Sequence, residues 1–340
     1  MEREHRLLKK YYSGYLSTDW FQMPSNFTLR GRYFSLYFGV PQNKDSFVSK
    51  RIISPNGREI EIEGKEIIIE ASNFENAVKA SELIHASSVL ISGGLLSWNA
   101  PKVHPFSKEE SEIQDIGENE SLLEMHLPDS LSACQIACKA SFRRAYTYGL
   151  LKYRLGTFLF SVSQIDLDPF LSAYFPLSPF PPDLVRMTYA IIAFYSVIEE
   201  IGLEIRASEK NPSFINGNWN PQVKRDLETR LLKSGIKPKE LFSWNLRSTP
   251  TRIEKFLRKD KRLKKVQKSQ WSRGKVRDTE IFIEDAILIT SWLRSKVSSH
   301  KFNRLAQSLS IYDVSNANYL ARRLLLGKLG FWEKLRNKGF

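Results

Sequence analysis

Three residues near the end of the chain have the types and spacing needed to cleave a phosphodiester bond. Arg294, Ser295 and His300 occupy a polar stretch between two segments with helical apolar periodicity, 283–293 and 313–329. An imidazole titrates near neutral pH and can move protons, while a guanidinium can hold a phosphate and the charge that develops on it. The pair therefore has the chemistry for metal-independent cleavage of RNA, with the ribose 2′-hydroxyl as nucleophile.

The arrangement resembles the RNA-cleavage motif of HEPN-domain proteins, in which a short spacer separates an Arg from a His. The resemblance covers about residues 183–335. It implies a helical domain that forms a homodimer, with the Arg and His pairs of two protomers in one cleft. It also implies products with a 2′,3′-cyclic phosphate and a 5′-hydroxyl. The family usually has Asn, Asp or His directly after the Arg; Ser295 is shorter, although its hydroxyl can still donate to a phosphate.

Two acidic residues belong to the same comparison. Several branches of the family place an acid in the first helix of the domain, facing the motif, and Glu199 and Glu200 occupy that helix here. A carboxylate near His300 would favour the protonated imidazole and fix its tautomer. The alternative is that both are exposed helix acids without a role in catalysis.

A basic segment precedes the motif and suggests a polyanionic partner. Between residues 250 and 277 the chain has 12 Lys and Arg against two acids, within a net charge of +14 for the whole chain. Such a segment can supply salt-dependent affinity for RNA, and its Trp can stack on a base. The predicted RNA-binding residues are Arg258, Lys259, Lys261, Arg262, Lys264, Lys265, Lys268, Trp271 and Arg273. The alternative is a solvated loop. Residues 142–154 have a similar mixture of basic and aromatic side chains, some of which should belong to the core.

The apolar patterns predict an α+β domain followed by an all-α, HEPN-like helical bundle. We expect strands over 26–72, a helix over 74–91 ended by Gly93 and Gly94, a polar connection over 98–128 and one helix over 131–160. Five prolines mark a linker at 169–182, which divides an α+β domain (1–168) from the bundle (183–340). The bundle helices are predicted to begin near Asp183, Pro221, Glu280 and Asp313.

Composition restricts the remaining possibilities. Cys134 and Cys138 are one helical turn apart and are expected to be buried, reduced thiols, so neither a disulfide framework nor a metal site is predicted. We expect no cofactor, no secretory leader and no membrane span, and hence a cytoplasmic protein.

Two functions remain open at this point. The first is a ribonuclease of a toxin or anti-phage defence system, in which the first domain acts as a sensor or regulatory domain. Its partners would be RNA, a second copy of the chain, and an antitoxin or phage-derived trigger. The second is a non-catalytic HEPN-like protein for RNA binding, dimerisation or scaffolding, which Ser295 favours.

Overall fold

The structure is a computed structural model of the 340-residue chain. It describes residues 9–17, 27–38, 48–53, 59–94, 103–105, 125–127, 129–161, 181–215, 218–244, 271–272, 275–276, 279–297 and 309–338. Contacts divide the chain into a first unit, Met1–Thr147, and a second unit, Tyr148–Phe340. Across the described residues, helices predominate and the sheets are mainly antiparallel, as expected for an α+β region followed by a helical one.

The first unit contains a seven-stranded sheet in the order β2-β3-β5-β1-β6, with β4 also paired to β5 and β7 to β1. Its strands are β1 (Lys9–Ser17), β2 (Phe27–Arg30), β3 (Phe34–Phe38), β4 (Val48–Ile53), β5 (Glu59–Ala71), β6 (Val103–Pro105) and β7 (Met125–Leu127). Among the strand pairs that the structure describes in this sheet, β1–β7 is parallel and the others are antiparallel. The prediction covered β2 to β5. It missed β1, and it was wrong to treat 98–128 as only a polar connection, because β6 and β7 lie there.

Helices α1 (Phe74–Ser92) and α2 (Ser130–Ser141) lie in the described part of the first unit. Helix α1 follows β5, with the Asn73 side chain capping its first turn and Gly93 ending it at a φ of 74°. Helix α2 packs on α1. Phe34 and Leu36 of β3 lie opposite Ala71 and Ile69 of β5, and these four residues are buried in the core.

The predicted single helix over 131–160 is two helices. Helix α2 ends at Ser141, and α3 (Arg144–Ser161) begins after Phe142 and Arg143. The Ser141 hydroxyl donates to the Cys138 carbonyl at 2.6 Å and accepts from the backbone N–H of Arg32 at 2.8 Å. A serine that forms bonds of this kind competes with the helical hydrogen-bond pattern, which accounts for the break.

Helices also dominate the second unit. Besides α3, they are α4 (Pro181–Glu200), α5 (Pro221–Leu232), α6 (Ile283–Val297), α7 (Ile311–Leu329) and α8 (Trp332–Arg336). The description "all-α" is nevertheless wrong, because the unit has three two-stranded antiparallel ladders. Their strands are β8 (Phe214–Ile215) with β9 (Asn218–Trp219), β10 (Leu241–Trp244) with β13 (Thr279–Phe282), and β11 (Trp271–Ser272) with β12 (Lys275–Val276).

Helix α4 is the central helix of the second unit and contacts α3, α6 and α7. The ring of its buried Phe194 lies against Gly156 of α3. The buried phenol of Tyr153, also on α3, donates a hydrogen bond to Asn318 of α7. From Tyr148 onward, helix α3 thus belongs to the second unit, whereas the sequence placed the whole helix before the division at 169–182. Residues 169–180 lie outside the described part of the chain.

Several helix boundaries follow from caps that the sequence shows. Asn220 caps α5, which has Pro221 at its start, and Gly330 ends α7 at a φ of 75°. Helix α4 begins at Pro181, two residues before the predicted cap Asp183, because proline is tolerated in the first turn, where its missing N–H has no intrahelical partner. In α7, Ser310 and the buried Asp313 form a reciprocal capping box.

Candidate active site

The last turn of α6 positions Arg294. One side of α6 is apolar and buried, including Ile283, Ile287 and Leu293, and packs within the second unit. Arg294 lies on the other side and is 42% exposed. A cation in the last turn of a helix interacts favourably with the partial negative charge of the free carbonyl groups there.

Glu199 of α4 pairs with this arginine. Its Oε1 lies 3.5 Å from Nη2 of Arg294, although the two residues are 95 positions apart in the sequence. The acid in the first helix of the predicted bundle therefore faces the arginine of the motif. A carboxylate at this distance restricts the orientation of the guanidinium, while its exposure keeps the stabilisation of the fold below about 1 kcal/mol.

Tyr195 and Ser291 form a second contact between the same two helices. The Tyr195 hydroxyl donates to Oγ of Ser291 at 3.0 Å, and the guanidinium carbon of Arg294 lies 5.9 Å from the centre of the Tyr195 ring. Tyr195 is one turn before Glu199 on α4, and Ser291 is about one turn before Arg294 on α6. The two contacts succeed each other in the same direction along both helices, so α4 and α6 run parallel here.

The phenol of Tyr195 is held in its neutral form. Burial raises its pKa above the ordinary value, and the nearby negative charge of Glu199 adds to the rise, whereas the hydrogen bond to Ser291 acts in the opposite direction. A neutral hydroxyl can remain the donor to Ser291 throughout the physiological pH range. The aromatic face next to Arg294 is therefore a fixed, uncharged wall of the site.

The other two predicted residues nearby have partners of their own. The exposed Ser295 donates its hydroxyl hydrogen to the Trp292 carbonyl at 2.8 Å, which leaves its lone pairs but not its proton for a ligand. Glu200 forms an ion pair with Lys152 of α3 at 2.7 Å. Consecutive residues on a helix point about 100° apart, which is why Glu199 and Glu200 have different partners.

Most of the remaining predicted site residues are not among the residues that the structure describes. His300 lies outside the described residues, as do all of the predicted basic RNA-binding residues from Arg258 to Arg273. For Trp271 the backbone is described, and it begins β11 and pairs with Val276. The structure thus brings together Arg294 and Glu199, and it adds Tyr195 and Ser291, which the sequence prediction missed. Their spacing in the sequence could have indicated both residues, since Tyr195 is four residues before Glu199 and Ser291 is three residues before Arg294, about one helical turn in each case.

Comparison with protein-family models, curated proteins and solved structures finds no significant match to this chain. In the part of the chain that the structure describes, no three His, Cys, Asp or Glu residues are grouped as a metal site would require. The same part contains no helix with the length and apolar character needed to cross a membrane. Cys134 and Cys138 are buried free thiols, and burial raises the pKa of Cys138 to about 12.

Proposed function

We propose that this protein is a metal-independent endoribonuclease, acting in a toxin or anti-phage defence system, whose second unit cleaves RNA with Arg294 and His300. The observation that supports this proposal is the pairing of Glu199 with Arg294 on parallel helices. The resemblance to HEPN domains predicts an acid facing the motif from the first bundle helix. The ion pair has that arrangement.

The reaction needs three events at one phosphodiester. The ribose 2′-hydroxyl loses its proton and attacks the adjacent phosphorus, and the P–O5′ bond breaks. A proton is then delivered to the leaving 5′-oxygen. Arg294 would hold the phosphate and stabilise its developing charge, and His300 would transfer protons. Glu199 and the Tyr195 ring would orient the guanidinium. A homodimer would place two such sets in one cleft.

The decisive experiment compares four variants of the full-length protein on end-labelled RNA in the presence of EDTA. Arg294→Ala and His300→Ala should each reduce cleavage by about 100-fold or more. Lys296→Ala removes a cation from the same exposed helical turn and should cleave like wild type. Glu199→Gln should lower cleavage by a smaller factor, of about 10-fold, while leaving the stability within about 1 kcal/mol.

The product ends give an independent readout. Wild type should leave a 2′,3′-cyclic phosphate and a 5′-hydroxyl. Cleavage that persists in both Arg294→Ala and His300→Ala, or that leaves a 5′-phosphate, contradicts the mechanism. Parallel expression of wild type and His300→Ala in a bacterial host, with total RNA on a gel, tests the toxin role. Growth arrest should depend on His300.

One observation favours the second candidate function, a non-catalytic RNA-binding or dimerisation module. The Ser295 hydroxyl hydrogen is engaged by the Trp292 carbonyl, whereas the family's usual amide or acid would reach further towards the arginine. In that case Arg294→Ala and His300→Ala would leave RNA affinity and growth nearly unchanged, and no variant or wild type would cleave RNA.

A further inference from the structure

An exposed cluster of basic and aromatic side chains lies in the first unit, away from the motif in the sequence. It joins the turn between β2 and β3 to the corner between α2 and α3. The backbone N–H of Arg32 donates to Oγ of Ser141 at 2.8 Å, which fixes the turn beside the corner. We name this surface the cationic corner and define it by Arg30, Arg32, Tyr33, Lys139, Phe142, Arg143 and Arg144.

The cationic corner carries five basic side chains. All five of its basic side chains are exposed, and Arg30, Arg32 and Arg143 form no ion pair with any residue that the structure describes. Glu70 lies on the same side of the sheet as Arg30, since Arg30 pairs with Ser35 of β3 and Ser35 with Glu70 of β5. Two strand spacings separate Glu70 from Arg30, about 10 Å. Arg30, Arg32 and Arg143 therefore carry three positive charges without an acidic partner in the described part of the chain.

Aromatic rings stand among these charges. Tyr33 is 48% exposed and Phe142 is 55% exposed, values that are high for large apolar side chains. The guanidinium carbon of Arg32 lies 5.1 Å from the centre of the Tyr33 ring. The guanidinium carbon of Arg143 lies 5.4 Å from the centre of the Tyr146 ring, and Nη1 of Arg143 donates a hydrogen bond to the Tyr146 hydroxyl. The first contact holds Arg32 beside an exposed ring, whereas the second fixes Arg143 against the buried Tyr146.

We propose that the cationic corner is a binding site for single-stranded RNA, in which the arginines contact phosphates and Tyr33 and Phe142 stack on bases. Four of the five cations are arginines, whose planar fork matches phosphate oxygens better than a lysine ammonium does. Exposed aromatic rings can stack on unpaired bases. A lipid headgroup or an acidic peptide has no base to stack on them. The site is independent of the ribonuclease proposal, since it would serve an enzyme and a non-catalytic binder alike.

The backbone of the site is fixed before any ligand arrives. The turn is closed by a hydrogen bond from the Gly31 N–H to the Phe34 carbonyl at 2.9 Å. Its other end is held by the bond from Arg32 to Ser141. The ordering cost of binding therefore falls mainly on the RNA and on the arginine side chains.

The test measures binding of a fluorescein-labelled oligouridine to the full chain in a His300→Ala background, which keeps the probe intact. The corner variant carries Arg30→Gln, Arg32→Gln and Arg143→Gln. A control variant with the same loss of charge carries Arg225→Gln, Lys233→Gln and Lys237→Gln, all exposed in the second unit. Thermal unfolding and circular dichroism establish that both remain folded.

The corner variant should bind more weakly, and the slope of log affinity against log salt should fall by about 2, or 0.7 for each lost phosphate contact. The control variant should keep the wild-type slope. A third variant, Tyr33→Leu with Phe142→Leu, should lose about 10-fold or more in affinity with no change of slope, because it removes stacking but no charge. If these side chains served only to stabilise the fold, a loss of affinity without a change of salt slope in the aromatic variant would not be expected.

Three outcomes would overturn the proposal. The first is equal losses in the corner and control variants, which would reflect net charge alone. The second is wild-type affinity in the corner variant, or an aromatic variant that binds like wild type. The third is binding of polyglutamate or of phosphatidylserine-containing vesicles that the corner variant loses while its RNA binding is unchanged. That result would assign the surface to another polyanion.

Discussion

Two glycines of α3 give a matched test of how this helix packs in the second unit. A Cβ atom at Gly156 would lie 2.7 Å and 2.8 Å from ring carbons of Phe194. A Cβ atom at Gly149, two turns earlier, would lie 3.4 Å from Cδ1 of Leu325 and 3.6 Å from Cγ2 of Ile201. The first is a steric clash and the second is ordinary van der Waals contact.

The two substitutions by alanine share one energetic term and differ in the other. Replacing a glycine inside a helix stabilises it by about 1 kcal/mol in either case. Overpacking at Gly156 should cost about 1–3 kcal/mol, because Phe194 is fully buried and the ring of Tyr153 lies 5.6 Å from its own. We expect Gly149→Ala to stabilise the protein by about 1 kcal/mol. Gly156→Ala should be less stable than Gly149→Ala by about 1–3 kcal/mol.

Urea unfolding followed by tryptophan fluorescence measures this difference. Five of the seven tryptophans lie in the second unit, at 219, 244, 271, 292 and 332, so the signal mainly reports that unit. Because helix propensity cancels between the two variants, the difference isolates the contact of α3 with Phe194. Equal stabilisation by both alanines, to within about 0.5 kcal/mol, would refute this packing of α3 on α4.

Three further predictions concern the second unit. Burial raises the pKa of Asp313 to about 6 from 3.8, so this carboxyl favours the fold below pH 4 and that contribution is lost as the pH rises through 6. In urea melts the free energy of unfolding of Asp313→Asn should therefore rise by about 3 kcal/mol relative to wild type from pH values well below 3.8 to pH values well above 6. A difference that does not change with pH would contradict the burial of this carboxyl. Arg323→Met leaves Glu240 without its buried partner and should destabilise by about 3 kcal/mol, against about 0.5 kcal/mol or less for the exposed Arg336→Met. A fragment 148–340 should show cooperative thermal unfolding, whereas 179–340 lacks α3 and should not; equal cooperativity would show that α3 is dispensable.

The helices that the sequence predicted best are those whose ends carry their own signals. In α4 the apolar residues Leu184, Met187 and Ile198 recur in the sequence at helical spacing, and all three are buried. Gly93 and Gly330 end α1 and α7 in the left-handed conformation that glycine adopts without strain. In these helices the apolar periodicity and the capping residue lie within a few residues of each other. The local sequence is therefore sufficient to predict the helix and its end.

The secondary structure predicted from the sequence is wrong where contacts between distant parts of the chain determine it. The break between α2 and α3 depends on the bond from Arg32 to Ser141, which are 109 residues apart. The segment 280–282 continues the helical pattern of α6 in the sequence, yet it forms β13 because β10 supplies a strand partner. Strand β1 pairs with β5, β6 and β7, and all three of these strands follow it in the chain. A one-dimensional pattern contains none of these partners.

The candidate site shows the same division between local and distant information. The sequence shows that Glu199 and Arg294 are each near a helix end, but the relative register of α4 and α6 is a property of their packing. Their own attraction is too weak to set it, since the side chains are 38% and 42% exposed and such pairs contribute less than about 1 kcal/mol. The register is better explained by the buried Tyr195, whose hydroxyl meets Ser291 one turn earlier. The orientation of the arginine thus depends on a buried, neutral phenol that belongs to no recognised motif.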